Sequence, residues 1–226
     1  MKPIVLVHGA WHGAWCWESV QTGLRDRGIE SIAVHLPFTG LADDAATLAG
    51  ELDLLTRAGS PPAVLMGHSY GGMVISEATA GRTDVDHLVY LCALMLRAGQ
   101  TTAEGGEGLD TALAGNIEVA EDLLSTIAPG AATAAFYGDA DPDAAAAAEA
   151  RLRPFPITSL GTVTGEPWRE VSSTYVVCTQ DRAIHPDHQR YMARSAAHVV
   201  EWPTDHSPFM TRPELVTDLL IELATT

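Results

Sequence analysis

The stretch Ala63-Val64-Leu65-Met66-Gly67-His68-Ser69-Tyr70-Gly71-Gly72-Met73-Val74 constrains this chain more than any other. An apolar run leads into Gly-His-Ser-Tyr-Gly, and a helical pattern follows. That order predicts a strand, a very sharp turn and a helix. Ser69 at the tip is expected in a strained backbone conformation, its hydroxyl projecting from the sheet edge. Gly67 and Gly71 flank a turn so tight that a Cβ at either position would strike the neighbouring strand or helix. The start of the following helix would aim N–H groups at the point where negative charge develops during attack by a serine.

The rest of the chain supplies strands and helices in alternation. Apolar runs at 4–7, 32–36, 86–94, 174–179 and 198–202 read as further strands, most of them buried on both faces. Helices are expected over 15–27, 43–57, 186–196 and 212–223, with Gly28 and Gly59 as stop signals. Together these predict an α/β fold with a mostly parallel six-stranded sheet flanked by helices. The pattern breaks over residues 97–169, where no continuous apolar strand run appears. Residues 99–108 read as a mobile Gly-rich loop, 117–127 as a short amphipathic helix, and 142–152 as an alanine-rich helix. A connection this long is expected to be a small helical lid inserted after the fourth strand, with residues 1–96 and 170–226 forming the core.

Charge narrows the partners. The chain has 13 Lys and Arg against 29 Asp and Glu, a formal net charge of −16, which argues against nucleic acid or an anionic membrane surface. Cys16, Cys92 and Cys178 show no metal-ligand spacing and leave one unpaired in any disulfide scheme, so reduced thiols are expected. The first apolar run, 4–7, is too short for a secretory leader, and a cytoplasmic protein is expected.

A serine hydroxyl is a weak nucleophile and needs a base, and the base needs an orienting acid. On a sheet of this kind the order along the chain is Ser, acid, His. Asp181 directly follows the penultimate strand, and His206 lies in the loop after the last. Both are therefore expected at the carboxyl edge of the sheet beside Ser69. Asp205 competes as the acid, but a side chain adjacent to the histidine rarely reaches its Nδ1. Among the other histidines, His8 is expected to brace the loop after the first strand and His68 to point away from Ser69. His185 and His188 read as surface positions at a helix start. Two N–H donors are needed for an oxyanion. Tyr70 N–H, directly after the nucleophile, and Ala10 N–H, from the His8-Gly9-Ala10 turn, are the candidates. Trp11, His12, Leu94, Tyr137, Trp168 and Met210 are candidates to wall an apolar pocket.

At these residues a resemblance emerges. Residues 7–17, Val-His-Gly-Ala-Trp-His-Gly-Ala-Trp-Cys-Trp, resemble the opening signature of the plant methylesterase and hydroxynitrile lyase group of α/β hydrolases and of its bacterial esterase relatives. Gly67-His68-Ser69-Tyr70-Gly71-Gly72, the segment Tyr175 to Arg190 with Cys178-Thr179-Gln180-Asp181-Arg182-Ala183-Ile184, and the Asp205-His206-Ser207-Pro208-Phe209 loop are similar to that group as well. The resemblance implies an α/β-hydrolase fold and a serine hydrolase acting on a small-molecule carboxylic ester, with no metal or organic cofactor. A lyase or cyclase using the same site, and a non-catalytic binder on the same scaffold, are the alternatives. The group's lyases carry Thr after the loop histidine and Lys after the catalytic one. Here those positions are Gly9 and Ser207, which implies ester hydrolysis instead of cyanohydrin cleavage. A double change, Gly9→Thr with Ser207→Lys, is the expected route to lyase activity.

Overall fold

The computed structural model describes residues 1–226. Six parallel strands form the main sheet: β1 (Ile4–Val7), β2 (Ser31–Val34), β3 (Ala63–His68), β4 (Val85–Leu91), β8 (Ser172–Cys178) and β9 (His198–Trp202). Their spatial order is β2-β1-β3-β4-β8-β9. The chain runs outward from β1 to β2, then crosses back to the other side of β1 to form β3. The direction of winding therefore reverses between β1 and β3, and a crevice opens beyond the carboxyl ends of those two strands. The loop bearing Ala10 leaves β1 there, and the loop bearing Ser69 leaves β3 there.

The central strands are buried on both faces, which explains their continuous apolar runs. Alternate residues feed two cores. Val5, Val7, Leu65, Leu88 and Val177 face one, and Ile4, Leu6, Val64, Met66 and Val176 face the other. Helices α2 (Leu41–Arg57) and α3 (Gly71–Thr79) fill the first core with Leu48, Leu52 and Met73. Helices α1 (Glu18–Arg25) and α8 (Pro213–Thr225) fill the second with Val20, Leu24, Val216 and Leu220. A single turn, α7 (Pro208–Thr211), leads into α8 and adds Phe209 to the same core. Gly28, at φ +75°, stops α1: its N–H bonds Arg25 O, and Ile29 N–H reaches back to Leu24 O. No helix is long and apolar enough to cross a membrane.

The segment between β4 and β8 differs from the sequence expectation. Residues 117–127 form a hairpin, not a helix: β5 (Ile117–Val119) pairs antiparallel with β6 (Leu124–Ile127). Apolar residues at 117, 119, 120, 123, 124 and 127 fit a helical stripe, but Leu123 adopts φ +64° and turns the chain back. Ile, Val and Thr then suit the pleated surface. A third short strand, β7 (Phe155–Pro156), completes this sheet. Two helices, α4 (Ala131–Phe136) and α5 (Pro142–Glu149), belong to the same segment, and Asp141 caps α5 by accepting from Asp143 and Ala144 N–H.

Hydrogen bonds tie the inserted segment to the loop after β1, among them Arg153 N–H to Trp11 O. Trp11 Nε1–H donates to Ser125, Tyr137 OH to His12, and the Arg153 guanidinium to His12 O. Residues 99–108 are docked on helix α6 (Pro186–Ala193), where Gly105 lies flat against the Tyr191 ring.

Candidate active site

Steric limits shape the elbow. A Cβ at Gly67 would stand 2.5 Å from Gly71 O, and one at Gly71 would stand 2.6 Å from Val7 O. Both distances are below any tolerated contact, so β1, β3 and the start of α3 approach this closely only with glycine at both places. Ser69 takes φ +53°, a left-handed conformation unusual for a residue with a Cβ. Its backbone is held from both sides: Ser69 N–H donates to Leu91 O, and Ser69 O accepts from Gly72 and Leu94 N–H. Trp11 at φ +60° and Cys92 at φ +37° adopt the same region in the loops after β1 and β4. Strained backbone is thus concentrated along the carboxyl edge of the sheet.

Asp181 and His206 come together there. His206 Nδ1 lies 2.7 Å from Asp181 Oδ2, both side chains fully buried. A carboxylate oxygen accepts, so Nδ1 carries the hydrogen and Nε2 is left as a base. Asp181 is fixed by three further donors. Its Oδ1 accepts from Ala183 and Ile184 N–H, and its Oδ2 accepts from the Gln189 side chain at 2.7 Å. Gln189 is fully buried and also accepts from Cys178 N–H, so its amide cannot rotate freely.

Asp205 is excluded as the partner of His206. Its Oδ2 accepts from Asp139 N–H, and its Oδ1 accepts from Ser207 N–H and the Thr211 hydroxyl. Asp139 returns a bond to Asp205 N–H, so this pair fastens the histidine loop to the inserted segment. Burial pushes the Asp205 carboxyl above the usual range.

The neighbouring histidines act as braces. His8 donates from Nδ1 to Gly9 O, and its Nε2 accepts from Leu36 N–H. His68 points away from the cavity and donates from Nε2 to His206 O at 2.9 Å. The Cys92 thiol donates to the same carbonyl. His68, Cys92 and His206 therefore bring ligand-capable atoms within 4.8 Å of one another, but Nε2 of His68, Nδ1 of His206 and the thiol are committed to these hydrogen bonds.

Ser69 opens into a cavity of about 210 Å³ whose lining is mostly apolar. Ala10 and Tyr70 line it too, and neither backbone N–H donates to a backbone carbonyl. Ser69 and two residues whose backbone N–H groups are unpartnered thus line one mostly apolar space. Tyr70's phenol is directed elsewhere and donates to the buried Asp44 carboxylate.

Of the expected pocket residues, Trp11 and Leu94 line this cavity. His12, Tyr137, Trp168 and Met210 do not. His12 and Tyr137 are buried and satisfied by each other: His12 Nδ1–H donates to Ala10 O and its Nε2 accepts the Tyr137 hydroxyl. Trp168 packs in a short turn against α3 and β8, and Met210 lines a separate groove with Trp15 and Ala148. His185 caps the start of α6 with its side chain 34% exposed, as expected, whereas the expectation for His188 needs correction. Both line the cavity, and His188 is 8% exposed. The apolar pair Ala183-Ile184, two residues past the acid, was the sequence signal that the start of α6 faces the site.

Gly9 is sterically closed. A Cβ there would lie 2.9 Å from both His68 Nδ1 and Ser69 Cβ. The change Gly9→Thr would therefore require His68 and Ser69 to shift, so it alters the elbow as well as adding a hydroxyl.

The model of the alpha/beta hydrolase family matches residues 4–219. The chain belongs to the alpha/beta hydrolase family. Among its relatives, alpha/beta hydrolase nvfD of Aspergillus novofumigatus is 27% identical over 242 residues, covering 97% of this chain and 96% of that protein. Methylesterase 2 of Arabidopsis thaliana is 25% identical, covering 97% and 95%. Tomato methylketone synthase I in complex with 2-tridecanone superposes with a TM-score of 0.84 at 23% identity, covering 99% of this chain and 98% of that one, and supports the fold.

Proposed function

We propose that this alpha/beta hydrolase cleaves a small-molecule carboxylic ester through an acyl-enzyme on Ser69. The observation that carries the reading is that Ala10 and Tyr70, whose backbone N–H groups are unpartnered, line the same mostly apolar cavity as Ser69. Methylesterase names among the relatives agree with it. In this mechanism Ser69 Oγ attacks the ester carbonyl while His206 Nε2 takes its proton. Asp181 holds the imidazole in the tautomer that leaves Nε2 free and stabilises the imidazolium. The Ala10 and Tyr70 N–H groups hold the oxyanion. His206 then protonates the departing alcohol and activates water to release the acid. Residues 97–169 act as a lid whose contacts with the β1 loop help to shape the acyl site.

Turnover of a graded panel of p-nitrophenyl esters tests the reading. Activity that depends on Ser69 and peaks at an acyl length suited to the cavity is expected, whereas a protein that binds the esters without cleaving them contradicts it. Two variants probe the supporting groups. Ala10→Pro deletes one oxyanion donor and should lower kcat on the order of 10²-fold or more. A folded Ala10→Pro protein with normal kcat would remove Ala10 from the mechanism. Gln189→Met withdraws a donor from the Asp181 carboxylate. A lost bond to a charged group is worth about 1.5–3 kcal/mol, so kcat/KM should fall roughly 10- to 100-fold while circular dichroism is retained. Unchanged kinetics would show that the other donors hold Asp181 sufficiently.

A further inference from the structure

His188 is the one side chain in the cavity whose chemistry the mechanism above leaves unused while its position is strongly constrained. It lies on the first turn of α6, nearly fully buried. Its Nε2 stands 3.1 Å from Glu104 O, and a carbonyl only accepts, so Nε2 carries the hydrogen. Burial lowers its pKa, opposed in part by the Glu104 carbonyl bond and by Glu107, while His185 adds to the lowering, so the ring is neutral near pH 7. Nδ1 then holds a lone pair and no hydrogen. No protein group bonds it, and it is not among the atoms sealed from solvent.

The loop packed on the ring leaves that lone pair open. A Cβ at Gly106 would lie 2.6, 2.9 and 3.0 Å from Nδ1, Cε1 and Cγ of His188. Distances this similar place Gly106 over the face of the ring, whereas the lone pair lies in the ring plane. The loop is therefore tethered through Nε2, through Gly106 on the ring face and through Gly105 on Tyr191, and none of these ties uses Nδ1. The other cavity histidine differs: His185 spends its Nδ1 in capping α6 by accepting from Asp187 N–H.

We propose that His188 Nδ1 is a specificity determinant that accepts a hydrogen bond from a hydroxyl or N–H on the substrate, so that the preferred esters carry a donor on the part that enters this cavity. The proposal rests on the ester-site reading of the cavity. It identifies the donor-bearing class and leaves the position of the donor to be read by experiment.

The test uses methyl 3-phenylpropanoate with its ring-hydroxylated and ring-methoxylated counterparts at each ring position. Methoxy adds bulk and an acceptor but no donor. Binding is measured calorimetrically to the Ser69→Ala protein, so the readout does not depend on turnover. At least one hydroxyl isomer should bind about tenfold more tightly than its methoxy and unsubstituted partners, the value of one buried hydrogen bond. His188→Gln offers Glu104 O a replacement donor but places no acceptor where Nδ1 was, and the ratio should collapse towards one. His188→Phe, which keeps the ring and has no acceptor, gives the same reading should His188→Gln not fold. Equal binding of all three ester types by the Ser69→Ala protein overturns the proposal, as does a hydroxyl preference that survives in either His188 variant. If these esters bind selectively but the protein with Ser69 cleaves no ester, the hydrolase reading fails and the donor-recognition site stands.

Discussion

Replacing Ser69 by Ala, His206 by Ala or Asp181 by Asn is expected to lower kcat by on the order of 10³-fold or more in each case, with the fold intact. Members of such a set act as one unit, so removing any of them abolishes most of what the three achieve together. The structure sharpens the Asp181 case. That carboxylate accepts four hydrogen bonds, one of them from His206 and three from groups that fix it. An Asn there presents an amide N–H₂ either to His206 Nδ1 or to the Ala183 and Ile184 N–H groups, and each orientation sets donor against donor. By contrast, Asp205→Asn acts on the fastening of the histidine loop and should cost stability more than the chemical step. Steady-state kinetics with circular dichroism on the four variants checks this. A nearly silent Asp181→Asn beside a severe, well-folded Asp205→Asn would reverse the assignment of the acid.

A second large effect is expected in the pH dependence of stability. Burial holds His8 at a pKa of about 3 and His12 at about 4, and lowers His68 well below its ordinary value. The hydrogen bonds give a reason to stay neutral: His8 Nε2 and His12 Nε2 are acceptors, and protonation would turn each against its partner. The folded protein therefore binds fewer protons than the unfolded chain between those values and the ordinary histidine value of about 6.5. Stability is complete above about pH 6.5 and falls as the pH drops towards 4. A tenfold change in proton affinity is worth about 1.4 kcal/mol, so the two residues together account for several kcal/mol. Asp44 and Asp205 act in the opposite sense, because burial raises their pKa and lets the folded state take up protons early, so they offset part of the loss. Urea unfolding at pH 7.5, 6, 5 and 4.5 measures the slope. His8→Gln, whose side-chain oxygen replaces the acceptor without titrating, should flatten it. Stability that is level from pH 7.5 to 4.5 would contradict this picture.

The parts of the molecule that were legible in the sequence are those governed by local pattern. Strands buried on both faces show as unbroken apolar runs, and Gly-x-Ser-x-Gly between a strand and a helix is readable because sterics leave so few residues that fit. The hairpin at 117–127 was not legible, because its apolar positions satisfy a helical stripe and a pair of strands equally until Leu123 turns the chain. The pocket lining depends on contacts between segments far apart. His12 is withdrawn from the cavity by Tyr137, 125 residues away, and His188 is drawn into it beneath a loop whose approach requires Gly106. Spacing along the chain carries no record of either contact.

The most direct measurement of the central claim is covalent labelling with a p-nitrophenyl alkylphosphonate, followed by intact and peptide mass spectrometry. One equivalent should attach with release of p-nitrophenolate, the mass increment should map to Ser69, and ester turnover should disappear in step with labelling. Label carried by another residue, or full ester turnover by a Ser69→Ala protein, would contradict an acyl-enzyme on Ser69.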